Sequence, residues 1–406
     1  MALEEKRILV GLLEVGMYVS RLDRDWLGTP FPFQGFHVRS DDDIELLSKY
    51  CTWVYIDVEK GRDAGAADQP VKGRGRAQVF PPRGPAYRDL VPLEQELPQA
   101  RDAHARAHSL ARRIAEDVRR GRRLSAAAVQ EAMEPLVESL VRNGDALFWM
   151  LARLRRDDYA YGHAVNCGAL AAAFGRHLAL PRETLVELAT GGFLLDVGKA
   201  SLPDELLAGA GELPPDAMER IRGHVAEGMR VVEEAGIRGG WVKDMVGSHH
   251  ERHDGSGYPQ GLSGDAIPLG GRMAAVVDSF DAMSSDRPYR RALARHGALQ
   301  QIYRGSGTLY QAEVVEQFLQ CMGVYPTGSL VELNTGEVAI VMAQNRARRL
   351  RPRVMLLLDP DKRPYPRFRD VDLMSQPEGG DGTAVEIVNA LDNGAYGLDP
   401  AELFLE

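Results

Sequence analysis

The sequence predicts a mainly α protein: a helical bundle with a small α+β domain at its N-terminus and a short β-rich extension at its C-terminus. Three observations carry that prediction. From about Gln99 to Cys321, Ala-, Leu- and Arg-rich segments run at helical spacing between Gly and Pro punctuation. Before residue 60, short β-prone runs flank one capped helical stretch. After Pro326 the apolar period changes to that of strands. The 406 residues, 44% hydrophobic, suffice for two or three domains with their own cores.

In chain order, Arg7–Leu12, Met17–Arg21 and Thr52–Val58 read as strands, and Ser40–Tyr50 reads as a helix begun by Ser40 or an Asp cap. Pro30, Pro32 and Gly35 mark loops, and residues 1–60 form one small unit. It shows no ligand-like cluster and reads as a docking or dimerisation unit. Residues 61–98, rich in Gly, Pro and charge, have a linker's composition. The helical domain follows over 99–325. Its basic run at 111–123 has acids interspersed and reads as a solvated helix face. In the extension, 326–406, SLVELNTGEVAIVMAQN reads as a hairpin about Asn334, Thr335 and Gly336, and RPRVMLLLD adds a third strand. The last 30 residues give no readable pattern, and no internal repeat is visible.

Composition narrows the function. The net charge of −9, from 49 basic and 58 acidic residues, argues against a general nucleic-acid binder. Cys51, Cys167 and Cys321 are too scattered for a disulfide framework or a CxxC zinc site, which suits a reducing cytoplasm. The N-terminus is too acidic, and its apolar run too short, for a signal peptide. No apolar stretch of about 20 residues predicts a membrane span.

The most informative run is HHERHDGSGYP, His249 to Pro259. Adjacent residues on a helix point about 100° apart. The His249–His250 pair is therefore expected to serve two ions, or one ion and a phosphate, rather than one ion twice. The loop that follows turns sharply, because glycine permits positive φ and proline fixes its own. Other histidines and aspartates sit at element ends: His163, Asp196, His224 and Asp278. Any one of them alone is more often a core histidine or a helix cap. Together the six are spaced by 33, 28, 25, 1 and 28 residues, gaps that suit successive helices whose inward faces meet. Imidazole with carboxylate suits iron, manganese or zinc, and a shared carboxylate allows a two-metal site that activates water and clamps a phosphoryl oxygen. Lys199 lies three residues after Asp196, on the same face, where its ammonium can meet a phosphate.

These residues resemble the HD-GYP family, a bacterial branch of the HD-domain phosphohydrolases. The resemblance covers roughly 145–325, through HHERHDGSGYP and GLSGDAIPLGGRMAAVVDSFDAMSSDRPYR. The N-terminal GMYVSRLDRDWLGTPFPFQGF…VYIDVEKG looks like the small domain that often precedes it. The resemblance implies a helical HD-type bundle that hydrolyses cyclic di-GMP with bound iron or manganese. It implies metal ligands His163, Asp196, His224, His249, His250 and Asp278, with Asp196 bridging two ions. It gives Lys199 to the phosphate, Arg287 and Arg290 to phosphate and guanine, and Gly257, Tyr258 and Pro259 to a substrate pocket that diguanylate cyclase (GGDEF) domains can also touch. A homodimer is among the assemblies it allows.

Two positions depart from the pattern. The family's histidine before Asp196 is Leu195, which cannot bind a metal. The glutamate that accompanies a third metal is Tyr159. The expectation is therefore two divalent ions, or one alone, with Asp196 and Lys199 as the catalytic pair. Leu195 is expected to weaken the site and slow turnover. The alternative is a degenerate module that binds cyclic di-GMP or a GGDEF domain without turnover.

Overall fold

The computed structural model describes residues 5–24, 29, 31, 35–58, 61–62, 79–153, 159–207, 214–286, 291–345, 349–375 and 383–399. The chain divides into two compact units, Met1–Pro81 and Pro82–Glu406.

The first unit is a four-stranded antiparallel sheet and one helix. Its elements are β1 (Glu5–Leu9), β2 (Tyr18–Leu22), β3 (Phe36–His37), α1 (Asp41–Tyr50) and β4 (Trp53–Asp57), with sheet order β1-β4-β2-β3. Ser40 caps α1 through a reciprocal capping box with Asp43, which satisfies orphan N–H groups at the helix start. β4 buries Val54 and Ile56 completely, the alternation of a strand with one covered face.

The second unit opens earlier than its composition suggests. The stretch 61–98 reads as a linker, yet its later part is fixed to the bundle. The helix α2 (Leu93–Arg119) already runs through Pro98. Before it, Asp89 accepts from Arg176 at 2.7 Å and from the Gly144 N–H at 2.9 Å, and the Tyr87 hydroxyl donates to the Leu180 carbonyl at 2.9 Å. These few side chains make specific partners, and composition does not reveal that.

The bundle continues as α3 (Ala126–Arg142), α4 (Gly144–Arg153), α5 (Tyr159–His177), α6 (Arg182–Leu194), α7 (Asp204–Leu207), α8 (Pro215–Arg222), α9 (His224–Glu234), α10 (Gly240–Ser248), α11 (Leu269–Ser284), α12 (Arg295–Arg304) and α13 (Ala312–Met322). A 3-10 turn, Val197–Ser201, links α6 to α7. Two glycines bring the site-bearing elements together. A Cβ on Gly192 would lie 2.5 Å from the Cys167 carbonyl oxygen, so glycine lets α6 lie close on α5. A Cβ on Gly198 would lie 2.1 Å from the His224 carbonyl oxygen, so glycine lets the 3-10 turn press onto α9.

The C-terminal strands are β5 (Leu330–Leu333), β6 (Val338–Ala343), β7 (Arg353–Leu358), β8 (Pro364–Asp372) and β9 (Ile387–Ala390), antiparallel in the order β8-β7-β6-β5-β9. The β5–β6 hairpin turns at Gly336 with φ +84°, as the sequence predicts. Both faces of the sheet are covered. Leu330, Val338, Ile340 and Leu357 pack with Trp149 and Met150 of α4, while Val331, Val341 and Val354 form a second core with Leu373 and Val385.

Candidate metal centre

Asp196 stands at the junction of α6 and the 3-10 turn, and its two carboxylate oxygens face different neighbours. Oδ1 lies 3.3 Å from His224 Nε2 and 3.6 Å from His249 Nε2, and those two nitrogens are 3.3 Å apart. His224 Nδ1 lies 2.6 Å from the Ile221 carbonyl oxygen and His249 Nδ1 lies 3.0 Å from that of Val246. A nitrogen facing a carbonyl must donate, so in its neutral form each ring carries its proton on Nδ1 and turns a lone pair on Nε2 toward Asp196. Three acceptors thus converge with no proton between them. Asp196 Oδ1 and His250 Nε2 are also buried without a hydrogen-bond partner among the described residues. Buried polar atoms of this kind are costly unless a cation satisfies them.

The spacing fits such a cation. Zinc-like bonds of about 2.0–2.1 Å at tetrahedral angles place donor atoms roughly 3.3–3.4 Å apart. Asp196, His224, His249 and His250 each offer a ligand atom, all within 4.8 Å of one another. Burial, reinforced by the neighbouring His249, pushes the His250 pKa down to about 2, so its ring is neutral and open to a metal. Burial opposes charge on Asp196, but the Lys199 ammonium outweighs it and holds the carboxyl well below its ordinary value.

α10 ends at Ser248, and His249 follows as its C-cap with helical φ and ψ. The rings of His249 and His250 lie 4.1 Å apart between centroids.

A second group flanks the first. His163, on α5, sets Nε2 at 3.0 Å from Asp278 Oδ1 and 3.7 Å from Asp196 Oδ2, and His250 Nδ1 lies 4.0 Å from Asp278 Oδ2. Asp196 Oδ2 accepts from Lys199 Nζ at 2.6 Å. Burial disfavours the Lys199 charge, yet Asp196 and Asp278 together raise its pKa above the ordinary lysine value. Asp278 is held low against its burial, first by the bond to His163. Leu195, the residue before Asp196, is 1% exposed and apolar.

Sequence reasoning misses Asp281 and Glu251. Asp281, one turn after Asp278 on α11, places Oδ2 2.7 Å from His163 Nδ1, and its Oδ1 accepts from Asn166 at 2.8 Å. It orients the ring as carboxylates orient metal-binding histidines. The signal was the second aspartate of DSFDAM. His163, Cys167 and Asp281 also lie together, but burial pushes the Cys167 thiol up to about 12, which keeps it protonated and a poor ligand. Glu251, 1% exposed, accepts from the Gln260 N–H at 2.8 Å and the Leu262 N–H at 2.9 Å, which closes the glycine-rich loop on itself.

That loop delivers Tyr258 to the site. Its ring stacks on His250 with centroids 4.6 Å apart, and its N–H donates to the His250 carbonyl at 3.2 Å. A Cβ on Gly257 would lie 2.4 Å from the Arg252 nitrogen, so only glycine fits before it. Burial pushes the Tyr258 hydroxyl up to about 12. Pro259 follows in the same loop. Arg287 and Arg290 lie outside the described residues, as does the side chain of Tyr159.

The HD domain matches residues 144–314, a domain of unknown function matches 5–129, and a KOW domain associated with HD domains matches 330–379. A cyclic di-GMP phosphodiesterase of Pseudomonas aeruginosa is 33% identical over 351 residues, covering 86% of this chain and 84% of that protein. One from Thermotoga maritima is 36% identical over 168 residues, 41% of this chain and 45% of that protein. Among solved structures, an HD-GYP-type protein of Bdellovibrio bacteriovorus aligns with a TM-score of 0.46 at 14% identity, over 77% of this chain and 98% of that one. The donor cluster, the loop stacked upon it and the relative matched along most of its length place this chain in the HD-GYP family of HD-domain proteins.

Proposed function

We propose that this protein is a metal-dependent phosphodiesterase that hydrolyses cyclic di-GMP, with a metal site weakened by Leu195. The observation that carries the reading is the convergence of Asp196 Oδ1, His224 Nε2 and His249 Nε2, which with neutral rings are three acceptors with no proton to share. Asp196, His224, His249 and His250 would hold a divalent ion, iron or manganese by the hardness of the donors. Such an ion supplies Lewis acidity toward a phosphoryl oxygen and lowers the pKa of a water.

The chain's own residues do the rest. Lys199 keeps a positive charge beside Asp196, suited to a phosphodiester anion and to charge that develops during displacement. Val246 and Ile221 carbonyls fix the ring tautomers, and Asp281 fixes His163. Tyr258 walls the site above His250 with a neutral ring, and Glu251 holds its loop. Arg287 and Arg290 complete the proposal as ligands for phosphate and guanine. The likeness to cyclic di-GMP phosphodiesterases supports the choice of substrate.

The second reading is a module that binds the nucleotide, or a GGDEF domain, without turnover. Leu195 is the observation that favours it. Incubation of manganese-loaded protein with cyclic di-GMP, followed by chromatography of the products, separates the two. Linear dinucleotide or GMP, lost in Asp196→Ala, supports hydrolysis. Stoichiometric nucleotide binding with no product replaces it with the binding module.

A further inference from the structure

We infer that this chain holds one ion tightly rather than two, and that the Lys199 ammonium stands in for the second cation on Asp196 Oδ2. The inference deepens the proposed function and rests on its metal-binding reading.

The two halves of the site differ in what they lack. Around Asp196 Oδ1 the ring protons point outward to carbonyls and the lone pairs point inward, so only a cation is missing. Around Oδ2 a cation is already present, because Lys199 Nζ sits 2.6 Å away. An ion ligated by Oδ2 would bond at about 2.0–2.2 Å from the same oxygen. A dication and an ammonium would then crowd one buried carboxylate oxygen, where like charges are poorly screened. The remaining donors do not outweigh that repulsion. The donors beside Asp196 Oδ2 are His163 and Asp278, 3.0 Å apart. The next position offers Leu195, an apolar side chain 1% exposed. Lys199 is tethered to the backbone, so its charge stays at the site when metal is scarce.

Manganese stoichiometry and coupling test this without recourse to activity. The protein is equilibrated with Mn²⁺, freed of excess metal, and analysed by elemental analysis and electron paramagnetic resonance. One ion per chain with an uncoupled Mn²⁺ spectrum is expected. The double variant Leu195→His with Lys199→Met, which restores a donor and removes the ammonium, is expected to bind two with a spin-coupled signal. Two tightly held, coupled ions in the unaltered protein would overturn the inference, and that measurement needs no variant to fold. A folded double variant that stays at one ion would also overturn it. No bound ion at all in the unaltered protein would instead remove the metal-binding reading beneath it.

Discussion

Replacing Leu195 with histidine perturbs the residue beside Asp196, where the proposed function places a missing ligand. Leu195 is almost fully buried, so the metal-free variant loses apolar burial worth about 1.5–3 kcal/mol. It also buries a polar ring, which costs a further 1–3 kcal/mol or so while the ring lacks a partner. The metal-free variant should therefore be less stable by about 2.5–6 kcal/mol. Metal should reverse part of this loss. A restored ligand beside His163, Asp278 and Asp196 should tighten the second ion at least on the 10- to 100-fold scale of altered metal surroundings. An ion at 100 times its dissociation constant stabilises the native state by about 2.7 kcal/mol. Added Mn²⁺ should thus raise the melting temperature of Leu195→His clearly more than that of the unaltered protein. At limiting metal, hydrolysis of cyclic di-GMP should rise with occupancy. Differential scanning fluorimetry with and without Mn²⁺, beside isothermal titration calorimetry, reads both effects. Equal metal-induced shifts in a folded variant and its parent would refute the reasoning that Leu195 leaves a ligand position vacant.

Further predictions concern the residues that shape the centre. In the Leu195→His background, Asp281→Asn removes the carboxylate that orients His163 and should weaken binding of the second Mn²⁺ by about 10-fold or more, as read by calorimetry, with little change in the circular dichroism spectrum. Glu251→Ala leaves the N–H groups of Gln260 and Leu262 unpaired. It should cost roughly 2–3 kcal/mol in urea unfolding and raise KM for the nucleotide more than it lowers kcat, because the loop carrying Tyr258 loosens. Metal-free protein should lose stability as pH falls from 7 to 5. His250 and His104 have folded pKa values lowered to about 2 and about 4, mainly by burial. Below the unfolded histidine value of about 6.5 the unfolded chain therefore binds more protons, and each ring accounts for a loss of up to about 2 kcal/mol at pH 5. Asp196 and Asp278, held low, act only at more acid pH, where the stability they contribute is lost as pH falls below the unfolded carboxylate range.

The sequence makes the helical bundle legible where its helices are long and amphipathic, as in α2 and α3. It makes α1 legible because Ser40 and the aspartates that follow form an unmistakable cap. β3, two residues long, is too short to carry a period. The docking of 82–92 depends on Asp89 and Tyr87 meeting partners some 50 to 90 positions away, which no local pattern encodes. The same division runs through the site. Six spaced His and Asp residues announce a donor set, but which oxygen of Asp196 meets which ring is a tertiary fact. Asp281 and Glu251 act through the residues they hold, so their chemistry shows only in contacts. Leu195, by contrast, is readable in one dimension, because an apolar side chain cannot coordinate in any fold.

Anomalous scattering from a crystal soaked in Mn²⁺ tests the centre most directly. A single strong peak is expected among Asp196 Oδ1, His224 Nε2, His249 Nε2 and a nitrogen of His250, at bonding distance from each. A crystal at saturating Mn²⁺ with no peak there, or with its only peak elsewhere, would contradict the account.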